Sequence, residues 1–205
     1  MIMIRRIFIC ALIFSSVIFS RATSPAENLA DLSFDDNIET PAVPKKAAAP
    51  IVRHMDNIRA TISKHGLNVG TDRNGQVAIV TIPCSQLFAP NDTALLVSGE
   101  KYLRPFGKLL KYPTMYKVIV AVHSDNTGEP AYLDDLTSAR ADAVDYFITK
   151  ISGTDGSSLV PYGLGCDVPL NDNASISERD ANRRLEIYIV PNTGMIETAR
   201  AGKLQ

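Results

Sequence analysis

Residues 121–144 read AVHSDNTGEPAYLDDLTSARADAV. An apolar run ends in His123-Ser124-Asp125. A short turn follows, with Gly128 and then Pro130. After Pro130 the apolar residues recur at helical spacing. At roughly 100° per residue, Leu133, Leu136, Ala143, Val144, Phe147 and Ile151 form one stripe. Arg140 falls near the middle of that stripe. An arginine facing the core needs an anion or several acceptors, because burying an unpaired cation is costly. Asp125 lies just past the strand, in the turn that leads to this helix. Ligands of open sheets bind outside the carboxyl ends of strands. Two readings follow. Asp125 and Arg140 meet at one cleft and together read a zwitterion, or they close an internal salt bridge between strand and helix.

The elements on either side set the fold class. "YKVIVAVH" (116–123) is nearly unbroken in apolar character, as expected for a strand covered on both faces. Pro130 suits the first turn of the following helix, expected over 130–150. Upstream, residues 98–113 have helical spacing through Tyr102, Leu103, Phe106, Leu109 and Leu110. Pro105 predicts a kink or a late start there. Residues 67–83 read as a hairpin with Asn74-Gly75 at its turn, and the strand at 77–82 is apolar on both faces. Residues 51–65 read as a helix ended by Gly66. Toward the C-terminus, 157–165 reads as a weak strand. Residues 183–190 read as a stronger one, with Leu185, Ile187 and Ile189 on one face and Arg184, Glu186 and Tyr188 on the other. The order β-α-β-α-β-β predicts an α/β fold of the two-layer α+β kind, two main helices packed on a mixed sheet.

The N-terminus carries a different signal. Arg5 and Arg6 precede an apolar stretch at 7–19, and "SRA" at 20–22 fits a cleavage site after Ala22. The stretch is shorter than the roughly 20 residues of a spanning helix. A signal peptide over 1–22 is expected, then a Pro/Ala-rich linker over 23–50. Cys10 lies inside the apolar stretch, without the small residues that precede a lipidation cysteine. Cys84 and Cys166 remain in the exported part and could pair or stay as buried thiols. The formal net charge of −1 over 205 residues gives nucleic-acid binding no electrostatic support.

Beyond these patterns, the chain resembles the peptidoglycan-binding domain found at the C-terminus of OmpA and in Pal and MotB. The family's H-T-D-x-x-G…L-S-x-x-R-A is matched by His123, Ser124, Asp125, Gly128, Leu136, Thr137, Arg140 and Ala141. Its G-x-G-x-x-x-P…N…G-R-x-x-N-R-R-V-E is matched by Gly163, Gly165, Pro169, Asn173, Arg179, Asn182, Arg183, Arg184, Leu185 and Glu186. "LFAPNDTAL" (87–95) is similar to the loop after the family's first strand. The resemblance covers about 77–191. It leaves a helix and hairpin strand at 51–76 as an extension and 192–205 as a tail. It implies non-covalent binding of the diaminopimelate of peptidoglycan stem peptides, anchoring the protein or the envelope to the cell wall. Asp125 would face the ammonium and Arg140 the carboxylate. The turn Asn126, Thr127 and Gly128 would add donors, and Phe88 would flank the ligand stem. Leu136, Arg179 and Arg183 complete the implied set, the two arginines lining the cleft or bracing the last strand. Neither cofactor nor metal is implied.

Three positions depart from the family pattern: Leu133 for Asn, Ala89 for an acid and Glu178 for Gly. The first two remove polar groups near the cleft. They leave open a second reading, a periplasmic module that binds other envelope proteins and has lost wall binding. A full OmpA-type porin is not expected, since no barrel strands precede the domain. A metal or hydrolytic enzyme finds little support. His123 and Asp125 are two ligands where three or four are needed. The other histidines, His54 and His65, fall in the first helix, and no base or orienter marks Ser124 as a nucleophile. The expected location is the periplasm or outer membrane of a Gram-negative envelope. Protein recovered from the envelope should therefore begin at Thr23 by intact mass, whereas a mass retaining residues 1–22 would mean an uncleaved anchor.

Overall fold

The computed structural model describes residues 29–204, so the expected signal peptide lies outside the described residues. The helices are α1 (Phe34–Glu39), α2 (Lys45–Ser63), α3 (Glu100–Leu103), α4 (Pro130–Ser152), α5 (Ile176–Asn182) and α6 (Thr193–Arg200). The strands are β1 (Asn68–Asp72), β2 (Val77–Pro83), β3 (Tyr116–Val122), β4 (Leu159–Gly163) and β5 (Arg184–Pro191). They form one mixed sheet in the order β1-β2-β5-β3-β4. β5 pairs antiparallel with both β2 and β3, and β3 pairs parallel with β4. The parallel pair requires a crossover, and α4 provides it. Every residue of β3 and of β5 is buried, as the unbroken apolar run of β3 predicts.

One face of the sheet carries the main core. Val118, Val120 and Val122 of β3 and Leu185, Ile187 and Ile189 of β5 pack there against Ile51 and Met55 of α2, Val144 and Ile148 of α4, and Met195 of α6. The buried face of α4 runs through Leu133, Leu136, Arg140, Ala141, Val144 and Ile148. It is turned slightly from the expected stripe, since Ala143 and Phe147 are only partly buried. Arg140 remains within it. The kink expected at Pro105 appears as a change of helix type: α3 ends at Leu103 and a 3-10 helix runs over Arg104–Lys111. Pro105 falls in the first turn of this 3-10 helix, where its missing N–H leaves no intrahelical bond unmade.

Glycines in the stretch after α4 have a steric reason. A Cβ on Gly163 would lie 2.2 Å from the backbone nitrogen of Ser138, and one on Gly165 2.1 Å from a carboxylate oxygen of Asp134. β4 therefore reaches the backbone of α4 only with glycine at 163.

Three expectations are corrected. The linker expected over 23–50 includes ordered helix. α1 lies within it, and α2 begins at Lys45 rather than near 51 and runs through Pro50. Its KKAAA start favours helix, and Pro50 removes only one intrahelical bond. The tail expected at 192–205 contains α6, whose Met195, Ile196 and Ala199 are buried. The order β-α-β-α-β-β lacked α5, which stands between β4 and β5.

The segment around α1 covers the second face of the sheet. Phe34 packs edge-on against Tyr162 and Tyr188, with ring centroids 5.5 and 5.4 Å away. Ile38 joins Val77, Ile119, Ala121 and Val190 in a smaller cluster. Buried Asn37 donates to the Leu29 carbonyl and the Tyr162 hydroxyl. The Lys117 ammonium, on β3 beneath, donates to Asn37 Oδ1 at 3.0 Å and to the Thr40 carbonyl at 2.6 Å. Among the described residues, no helix is long and apolar enough to cross a membrane.

Ile38 is 8% exposed, so Ile38→Ala leaves a cavity between α1 and the sheet. The expected loss in urea unfolding is about 2–4 kcal/mol. An unchanged midpoint would mean that α1 is not part of the cooperative unit.

Candidate functional site

The backbone beyond β3 stays tied to its neighbours. His123 N–H donates to the Arg184 carbonyl at 2.9 Å, and Ser124 N–H to the Gly165 carbonyl at 2.7 Å. This fixes Asp125, which is 2% exposed. Its Oδ1 accepts the Thr127 backbone N–H at 2.7 Å and also the Thr127 hydroxyl. Its Oδ2 accepts Nη1 of Arg183. Burial alone would raise the Asp125 pKa. The two Thr127 bonds, and then Arg183, outweigh it and hold the carboxyl below the usual range.

Arg140 reaches the same cleft from α4. Its Nε donates to the Asp92 carbonyl at 2.8 Å and its Nη2 to the Ala89 carbonyl at 3.2 Å. The guanidinium lies over the Phe88 ring, 4.9 Å from the centroid. The loop presenting these groups is itself braced: Phe88 N–H donates to the Cys84 carbonyl, and Leu96 N–H to the Leu87 carbonyl. Among the described residues Arg140 forms no ion pair. The internal Asp125–Arg140 salt bridge is therefore absent. Asp125 pairs with Arg183 instead.

Both side chains line one cleft of about 900 Å³. Phe88, Thr127, Leu136 and Arg183 line it with them. Asn126 and Gly128 do not. They lie exposed beside it, and Gly128, at φ 147°, lets the turn pass over the Leu133 side chain. Arg179 also lies outside the cleft. Its Nη1 donates to the Asn173 carbonyl, and so it braces the loop before α5. The two arginines that the sequence left undivided thus separate, Arg183 to the cleft and Arg179 to the scaffold. Of the departures, Leu133 is a buried wall of the cleft, and Ala89 contributes its carbonyl to Arg140. Sequence reasoning missed Asp180 and Tyr132, both on the lining. Asp180 could have been found as the i, i+3 partner of Arg183, a contact the structure contains.

Behind Asp125 lies a buried polar cluster. His123 Nε2 and Arg184 Nε each approach the Glu186 carboxylate at 3.1 Å, at ion-pair distance without hydrogen-bond alignment. The Tyr188 hydroxyl donates to Glu186 at 3.0 Å. His123 is thus engaged within the sheet, and no group of three or more metal-ligating side chains occurs among the described residues. Cys84 and Cys166 are free thiols. Burial pushes Cys84 up to about 11 despite the nearby arginines.

Glu186 gives a pH dependence. Burial opposes its ionised form, but His123 and Arg184 outweigh burial and bring its pKa from 4.5 down to about 2. A depressed carboxyl stabilises the fold above its unfolded value and loses that contribution as pH falls through the folded one. About 3 kcal/mol should fade between pH 4.5 and 2. Urea unfolding across this range should show Glu186→Gln with a flatter profile than the wild type; identical slopes would contradict the coupling.

Residues 87–183 match the OmpA family. The chain is 30% identical over 127 residues to Probable lipoprotein YiaD of Escherichia coli, covering 62% of this chain and 57% of that protein. It is 30% identical over 116 residues to Peptidoglycan-binding protein ArfA of Mycobacterium tuberculosis, covering 56% of this chain and 35% of that one. The chain thus spans well under two thirds of either relative. Among solved structures, the cell wall anchor of the T6SS from Pseudomonas aeruginosa superposes with a TM-score of 0.54 at 25% identity, over 69% of this chain and 97% of that one. A putative MotB like protein from Desulfovibrio vulgaris shares the fold, with a TM-score of 0.62 at 21% identity over 71% and 99%. The turn that buries Asp125, the α4 arginine and the close β4–α4 approach at Gly163 all fall within residues 87–183, the span that matches the OmpA family.

Proposed function

We propose that this domain binds peptidoglycan non-covalently and anchors its chain, or the envelope that carries it, to the cell wall. The ligand is the diaminopimelate of a stem peptide, seated in the cleft. Asp125 faces its ammonium and Arg140 its carboxylate. One observation carries the reading. Arg140 is a buried cation at the wall of an open cleft, held by two backbone carbonyls and an aromatic ring, with no acid paired to it among the described residues. Two neutral acceptors leave its charge uncompensated, and a ligand carboxylate supplies the missing anion in the planar geometry that guanidinium favours. Phe88 and Leu136 provide apolar contact for the ligand stem, and the Thr127 hydroxyl is at hand beside Asp125. The named activity of ArfA and the cell-wall role of the T6SS anchor support the same class of ligand. The chain belongs to the cell envelope, in the periplasm or associated with the outer membrane.

Diaminopimelate differs from lysine by a carboxylate on the carbon that bears the side-chain amine. A lysine-type peptide therefore leaves Arg140 without its partner. That mismatch costs on the order of 1–3 kcal/mol, so binding should be weaker by about tenfold or more. Arg140→Ala should lose this discrimination along with affinity. Asp125→Asn should weaken both peptides, since both carry the ammonium. Calorimetry with the two peptide types and co-sedimentation with purified sacculi test this, each variant being checked for folding. Equal affinity of the wild type for both peptides contradicts the Arg140 assignment. A folded protein that stays in the supernatant favours the alternative, a module for other envelope proteins whose cleft wall carries Leu133 and Ala89.

A further inference from the structure

Asp125 is already occupied. Its Oδ1 takes both donors of Thr127, and its Oδ2 takes Nη1 of Arg183. A carboxylate offers about four lone-pair sites, so little acceptor capacity is left. The exposures of the pair are unequal: the Arg183 side chain is 37% exposed and that of Asp125 only 2%. The guanidinium is thus the solvent-facing partner of a buried anion. Its other end, Nη2, holds Asp180, which is 62% exposed and one turn earlier in α5. Asp180 and Arg183 both line the cleft.

We propose that Arg183 is a built-in competitor for the ligand's ammonium: it fills the Asp125 subsite when the cleft is empty and must swing aside for the ligand to enter. This rests on the peptidoglycan reading above and concerns the regulation of the same site. Two cations on one carboxylate oxygen repel each other, so the incoming ammonium replaces Arg183 rather than joining it. Asp180 gives the displaced guanidinium a partner at the cleft mouth. Binding becomes an exchange of one cation for another on Asp125. The empty domain avoids an unpaired buried carboxylate, and affinity for every ammonium-bearing ligand falls by the strength of the Arg183–Asp125 pair. Arg183 and Arg140 then divide the work. Arg140 sets the ratio between diaminopimelate and lysine peptides. Arg183 sets the level common to both.

The test uses the full chain with soluble muropeptides of the two types. Arg183→Gln removes the cation and keeps an amide donor for Asp125. Both peptides should bind it about tenfold more tightly than they bind the wild type, with their affinity ratio unchanged. Weaker or unchanged binding of either peptide overturns the proposal while leaving the peptidoglycan reading in place. If neither wild type nor variant binds either peptide, both fall together. A second measurement does not depend on the variant folding. In wild-type protein, saturation with the diaminopimelate peptide should move the Arg183 side-chain NMR resonances to the positions they take in Asp125→Asn. Resonances that stay fixed on saturation overturn the proposal.

Discussion

The guanidinium of Arg140 is the constraint on which the site depends. It leaves water on the core face of α4, and among the described residues no acid pairs with it to offset that transfer. Two carbonyls of the 89–92 stretch and the face of Phe88 hold it instead. Neutral acceptors and a ring quadrupole compensate a buried cation only in part. The loop must therefore be rigid enough to aim its carbonyls, and its ties to Cys84 and Leu87 provide that rigidity. α4 must be anchored as well. The glycine at 163 lets β4 lie against its backbone, and the parallel β3–β4 pair fixes the helix across the sheet.

The opposite wall solves the reverse problem. Asp125 is a buried anion that accepts three hydrogen bonds. Two come from its own turn, and one comes from an arginine on an element far away in sequence. Behind it, Glu186 gathers His123, Arg184 and Tyr188 within the sheet and so ties the ends of β3 and β5 together. One wall of the cleft thus carries an undercompensated cation and the other a satisfied anion. On the proposed reading, a zwitterionic ligand would bring its own anion to the first wall and exchange a cation at the second.

Much of this was legible in the sequence because the signals were local. The unbroken apolar run of β3, Pro130 at the start of α4, the break at Pro105 and the turn glycine at 128 each act within a few residues. Arg140 stood out because a charge in an apolar stripe is visible from spacing alone. What was not legible came from distant partners. The carbonyls that hold Arg140 lie 48 and 51 positions away, and Arg183 lies 58 from Asp125. Spacing left open whether Asp125 and Arg140 share a cleft or close an internal bridge; they line one cleft and do not pair with each other. The α1 segment reads as a linker because its burial depends on Tyr162, Tyr188 and Lys117 of the sheet it covers. α5 is a different case. Ser175 and Glu178 form a capping box, a pattern visible in the sequence. The helix it starts is only two turns long and lacks an apolar stripe to draw attention to it.

On the proposed function, Arg140 awaits a ligand carboxylate. A crystal structure of the domain with a diaminopimelate-containing muropeptide tests it most directly. The carboxylate on the side-chain carbon of diaminopimelate should lie within about 2.7–2.9 Å of the Arg140 guanidinium nitrogens, with the adjacent ammonium on Asp125. A muropeptide bound elsewhere, or one in the cleft whose carboxylate leaves Arg140 untouched, would contradict it.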